Sequence, residues 1–224
     1  MKKLTAILRL SPSVKVRKFW FNKLAAVIAV AILLAGLSAA RNVALAETTP
    51  RQVVEKYHAV LLSLMKEADS LKIKGRYARL EPTFVKTFNL AFMMKIVAGS
   101  RWRKASTEHK KLLVSAFKRM SVWTYASRFD DFSGERFETV GQRDGPRKTT
   151  IVDTLIHRPN KSAVKLSYLL RKFDGEWRII DVILGGGISE LALRHSEYRS
   201  ILKRKGADGL AKILNKKADE LIGK

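Results

Sequence analysis

Four histidines, His58, His109, His157 and His195, and a few acids are the side chains of this sequence that could hold a metal or move a proton. A metal site needs ligands at short, fixed spacing, and no two of these histidines recur that way. His195 falls on the inner side of a helical pattern, where a histidine is a core or rim residue. Asp130-Asp131 are adjacent, the pattern of a solvated turn. Asp153 and Asp181 are single acids in strand-like segments, and either one in a pocket could act as a base. The chain has no cysteine, and no serine stands in G-x-S-x-G. Gly185-Gly186-Gly187 ends an apolar run ahead of a polar, helix-like segment. A Walker loop would close with lysine and a hydroxyl residue, but Ile188-Ser189 follows; a dinucleotide fingerprint needs G-x-G-x-x-G in a βαβ unit. Turn geometry explains the triplet better, because glycine lets a chain reverse sharply. An anion held at the helix N-terminus near Ile188-Ser189 is a minor alternative. The residues therefore specify no catalytic centre, no metal and no cofactor.

The elements around them begin with a leader. Positions 1–23 are basic, Leu24 to Leu37 are uninterrupted apolar or glycine, and Ala44-Leu45-Ala46 precedes Glu47. That order is the layout of a secretory signal peptide, with cleavage expected after Ala46. An uncleaved anchor is the alternative, although the run is short of the ~20 residues a spanning helix needs. The sequence thus divides into a signal peptide, 1–46, and an exported domain, 47–224. Of the 44 basic residues eight lie in 1–46, which holds no acid; 36 remain against 20 acids, a formal +16. In an exported domain such an excess points to an anionic membrane surface or an acidic partner rather than to nucleic acid. Without cysteine there is no disulfide, so the fold rests on its core.

Thr49-Pro50 reads as a helix start, followed by Val54, Tyr57, Leu61 and Leu64 at helical spacing. Glu81-Pro82 reads as a second start, Asn89 and Ser106 as caps, and Gly99 as a stop. From Gly134 the period changes to strands at about 135–142, 148–157, 163–172 and 176–184. Asp174-Gly175 is a strong hairpin signal, and the short connections make the strands an antiparallel meander. Helices at 189–203 and 208–221 return to the sheet. The expected fold is α+β: a four-stranded antiparallel meander packed against several helices.

"YLLRKFDGEWRIIDVILGGGISELALRHSEYRSIL" resembles the MlaC-type periplasmic lipid-binding proteins, the toluene-tolerance auxiliary family. Trp177, Arg178, Ile179, Asp181, Val182, Gly187, Ile188, Ser189, Tyr198 and Arg199 fit that family's pattern in order. Upstream, Phe88, Gly99, Trp102, Arg103 and Ala105 match; Asn89 stands where aspartate is usual, and either residue caps a helix. "MSVWTYASRFDDFSGERFE" and "DGPRKTTIVDTLIHRP" look more like the HpnM, hopanoid-associated branch. The resemblance implies a monomeric periplasmic carrier with a bound lipid as cargo, serving an inner-membrane transport complex and an outer-membrane component, with no bond changed. It implies a lipid cavity between sheet and helices. On that basis the acyl chains are placed against Val164, Leu166, Tyr168 and Leu170 of the third strand and Ile180, Val182 and Leu184 of the fourth. Met93, Phe117 and Met120 are expected to face them. The alternative is an exported α+β enzyme of the ketosteroid-isomerase kind, with Asp153 or Asp181 as its base and a small apolar substrate.

Overall fold

Thr49 caps the first helix as the sequence predicts. Its hydroxyl accepts from the Gln52 amide at 3.2 Å, while the Gln52 side chain accepts from the Thr49 amide at 2.9 Å. This reciprocal box, with Pro50 in the first turn, fixes the start of α1, Pro50–Lys66. The computed structural model describes residues 47–185 and 187–223. The expected signal peptide, 1–46, and the middle glycine of the triplet, Gly186, lie outside the described residues.

α2, Ala68–Thr87, follows almost at once. Glu81-Pro82 does not start a helix, as the sequence suggests; Pro82 lies inside α2. An internal proline forfeits one backbone hydrogen bond, but Leu80 and Phe84 on either side are buried in the core and hold the helix across it. The break in α2 comes earlier, at Lys72, with φ 50° and ψ 178°. That region is almost reserved for glycine. Lys72 is exposed, so Lys72→Gly removes strain without removing packing. It should raise stability by about 1 kcal/mol, seen as a higher urea midpoint at unchanged slope. A lower midpoint would show that the lysine carries no strain.

Asn89 and Ser106 cap as expected, accepting from the Phe92 and His109 amides. They open α3, Leu90–Ala98, and α5, Thr107–Arg128, on either side of the one-turn α4, Ser100–Lys104. Buried Arg76 of α2 donates to the Ala126 carbonyl of α5 at 2.8 Å and to the Ala68 carbonyl at 3.0 Å, which ties the two helices together.

The meander consists of β1, Arg136–Gly145, β2, Thr149–Arg158, β3, Lys161–Phe173, and β4, Glu176–Leu184. Asp174 and Gly175 take φ 48° and 86°, the mirror-image turn their types favour. A two-residue β5, Ile188–Ser189, makes the sheet five-stranded rather than four. It forms because the chain doubles back after β4, pairing Ile183 with Ser189 and Leu184 with Ile188. Gly187 has φ 85° and its amide donates to the Leu184 carbonyl at 3.0 Å, so glycine at this position serves the turn. Ser189 then caps α6, Glu190–Ile222, whose ladder is broken at Gly206, φ 67°, between the two helices the sequence predicts.

The strands lie in chain order in one antiparallel sheet. α1 packs on β1, β2 and β4; α2, α3 and α6 reach β4; α5 packs against α2, α3 and α6. The core fills the space between these helices and the sheet face that carries Val152, Leu166, Tyr168 and Leu170. The fold is α+β, as the sequence predicts.

Candidate functional site

β3 alternates as its sequence suggests. Leu166, Tyr168 and Leu170 are buried toward the helices, with Val164 half-buried at the end of the row. β4 does not alternate cleanly. Leu166 pairs with Leu184, Tyr168 with Val182 and Leu169 with Asp181, but Leu170 pairs with Ile179. Ile180 is the extra residue of a β-bulge, which resets the pleat. Ile179, Val182 and Leu184 therefore share the inner face, and Ile180 is absent from the core cluster they join. From the helices, Met93 of α3 and Phe117 and Met120 of α5 belong to that same cluster. Nine of the ten residues expected to form the apolar site are thus brought together, and Ile180 is not.

These faces are closed against one another. The interior void among Phe84, Phe88, Met93, Phe117, Tyr125 and Val182 measures about 20 Å³, roughly the room of one water. A larger apolar groove of about 410 Å³ lies outside it, lined by Ile96, Leu169, Ile180, Leu191, Ala192 and His195. Asp181 and Leu191 line both spaces. Groove and interior thus share a wall where β4 meets the start of α6. His195 secures the rim, its Nδ1 lying 3.0 Å from the Val97 carbonyl of α3.

Asp181 holds that wall. Its Oδ1 accepts from the Val182 amide at 2.8 Å and the Leu191 amide at 3.0 Å, and its Oδ2 accepts from the Ser189 hydroxyl. Burial raises its pKa above the ordinary carboxylate value, and the hydrogen bonds from Ser189, Leu191 and Val182 oppose the rise. With both oxygens occupied, the carboxylate clips β4 to β5 and α6 instead of facing a substrate. Asp153 faces away from the helices, bonded to Ser167 and to Arg143 at 3.0 Å. Its burial would raise its pKa, but those two partners outweigh it and leave the carboxyl below its usual value. Asp153 lines neither space, and Asp181, which lines both, already accepts hydrogen bonds on both oxygens. No group of three His, Asp or Glu among the described residues could hold a metal ion.

The structure adds two polar groups that the sequence patterns do not single out, Glu190 and Arg194, and gives partners to His58 and Tyr198. Glu190 and Arg194 line the interior void and form a half-shielded ion pair at 3.6 Å. Arg194 also donates to the Tyr198 hydroxyl at 3.2 Å and lies over the Phe117 ring. Arg128 reaches Glu190 from the solvent side at 3.3 Å. His58 is buried with its Nε2 2.9 Å from the Tyr168 hydroxyl and its ring stacked on Phe137. Glu190, Arg194 and Tyr198 recur every four residues, so the helical period, applied to charged as well as apolar residues, puts them on one stripe.

A family model described as "MlaC protein" matches residues 55–216. This chain belongs to the MlaC family. Its fold is similar to that of the phospholipid-binding protein from Ralstonia solanacearum, solved in complex with a phospholipid. The TM-score is 0.66 at 17% sequence identity, covering 75% of this chain and 96% of that one. Within the family pattern, Asp181, Gly187 and Ser189 are the carboxylate clip, the positive-φ turn residue and the cap of α6. Those motif residues therefore build the wall between groove and interior. Among the described residues no helix is long and apolar enough to cross a membrane.

Proposed function

We propose that this MlaC-family protein is a periplasmic lipid carrier. It is exported by its leader, holds the apolar part of a membrane lipid between sheet and helices, and passes it between inner- and outer-membrane components without chemical change. One observation carries this reading: the apolar faces of α3, α5 and β4 meet at an interior void, next to the buried face of β3 in the same core, and that void shares a wall with an open apolar groove. The phospholipid bound by the Ralstonia protein of similar fold supports it. Acyl chains lie along Leu166, Tyr168, Val182 and Phe117 once the helices part from β4, with the groove as their way in. The cargo is a phospholipid or a hopanoid, the second suggested by the segments similar to the HpnM branch. The formal +16 of residues 47–224 draws the monomeric carrier to anionic membranes and acidic partners.

Protein purified from the native periplasm should yield a membrane lipid on organic extraction and mass spectrometry. Leu166→Trp puts a larger ring into this closed face. It should cost about 1–3 kcal/mol of stability by overpacking, and the folded variant should carry less extracted lipid and transfer less between vesicles. Wild-type protein that holds no lipid, and takes up none when offered, would end the carrier reading.

A further inference from the structure

Among the described residues, one fully buried side-chain polar atom of a non-exposed residue has no hydrogen-bond partner: the hydroxyl of Tyr57. Tyr57, on α1, is 0% exposed. Its ring centroid lies 5.2 Å from that of Phe88, 6.3 Å from Phe84 and 6.1 Å from Tyr125. Those three rings line the interior void, so Tyr57 stands directly behind it. Two other buried hydroxyls of the sheet are paired. The Tyr168 hydroxyl meets His58, and the Thr154 hydroxyl donates to the Leu166 carbonyl at 2.9 Å. Burial pushes the Tyr57 phenol well above its ordinary pKa, which keeps it a neutral donor.

A buried donor left unpaired destabilises the fold, and phenylalanine would fill the same shape without that penalty. The oxygen therefore does nothing for the protein as folded here. Where a sequence breaks a local rule at its own expense, the residue is a candidate for function. A phenol donates more strongly than it accepts, so the partner that best completes it is an acceptor that arrives with whatever fills the interior. A phosphate is ill suited to it, because a charge desolvated among aromatic rings needs a cation beside it. The cation at the void, Arg194, is engaged with Glu190 and Tyr198. An ester carbonyl accepts hydrogen bonds, carries no charge, and is joined directly to an acyl chain.

We infer that Tyr57 donates a hydrogen bond to an ester carbonyl of an acyl lipid held between the sheet and the helices, and so selects ester-linked cargo. The inference rests on the carrier reading and adds to it the bond by which cargo is chosen. It is tested with Tyr57→Phe and two probes: vesicles carrying diacyl phosphatidylglycerol, and vesicles carrying its dialkyl ether analogue with the same chains and headgroup. The variant should bind the ester lipid about 3- to 10-fold more weakly than wild type, the range of one neutral hydrogen bond. It should bind the ether lipid as wild type does. Lipid-free, it should melt at or above the wild-type temperature. An equal loss on both lipids, or no loss on either, overturns the inference. So does a lower lipid-free melting temperature with an unchanged ester-to-ether ratio, the mark of a buried water on Tyr57. If wild type takes up neither probe, the carrier reading fails and this inference with it. If wild type takes up both and the ratio does not respond to Tyr57→Phe, only this inference fails.

Discussion

Between pH 7 and pH 5 the folded protein should lose about 2 kcal/mol of stability through His58 alone. His58 is 4% exposed, between the Tyr168 hydroxyl and the Phe137 ring, and burial lowers its pKa from 6.5 to about 4. The unfolded chain takes up a proton at its histidine as pH falls through 6.5, while the folded chain refuses one until about 4. The unfolded state therefore binds more protons throughout that window, and stability falls as pH falls. The loss is about 3 kcal/mol by pH 4 and becomes complete only below it, once the folded histidine is protonated as well. The window from 7 to 5 lies above the range in which Glu67, Glu138 and Glu176, whose pKa values are lowered by their Arg79, His157 and Arg178 hydrogen bonds, begin to matter. His58→Phe keeps a ring against Phe137 and cannot titrate. It should be less stable at pH 7, because the Tyr168 hydroxyl loses its partner, yet flatter with pH. Urea midpoints at pH 7, 6 and 5 measure both slopes, and the difference between wild type and variant isolates His58. Parallel slopes would show that His58 is not held neutral.

Signals that act within a few residues are legible in this sequence. Thr49, Asn89 and Ser106 are caps because each side chain reaches its own first turn, and Asp174-Gly175 is a turn because both residues accept positive φ at little cost. The signals that failed depend on partners far along the chain. Pro82 reads as a helix start because local propensity disfavours it inside one, but burial of Leu80 and Phe84 against the core decides otherwise. Ile180 reads as inward because counting by twos assumes one residue per rung. The bulge exists only where β4 meets β3, and the Asn89 amide at the junction of α2 and α3 donates to the Ile179 carbonyl beside it at 2.9 Å. The inner face could be listed almost residue by residue from periodicity. How tightly it closes could not, because a void of about 20 Å³ is set by the approach of whole helices to the sheet.

That tight closure makes Phe117 the most informative position to truncate. Phe117 is 1% exposed and lines the void together with Met93, Val182 and Leu191. Phe117→Ala should cost the lipid-free protein about 3–5 kcal/mol, the sum of lost transfer energy and a cavity the neighbours fill only in part. Arg194, which lies over the ring at 5.7 Å, loses that contact as well. The consequence for cargo has the opposite sign. Wild type must part its helices from β4 to admit a chain, whereas the variant already holds space where chains are proposed to run. Each methylene that leaves water there contributes about 0.8 kcal/mol, and a ligand that binds the folded state alone raises stability by mass action. Added phospholipid should therefore raise the melting temperature of Phe117→Ala by more than it raises that of wild type. Calorimetry with and without lipid gives the two increments from the same preparations. Equal increments would mean that the acyl chain does not enter between α5 and β4. A smaller increment in the variant would mean that the ring itself contacts the lipid and that the site is formed before cargo arrives.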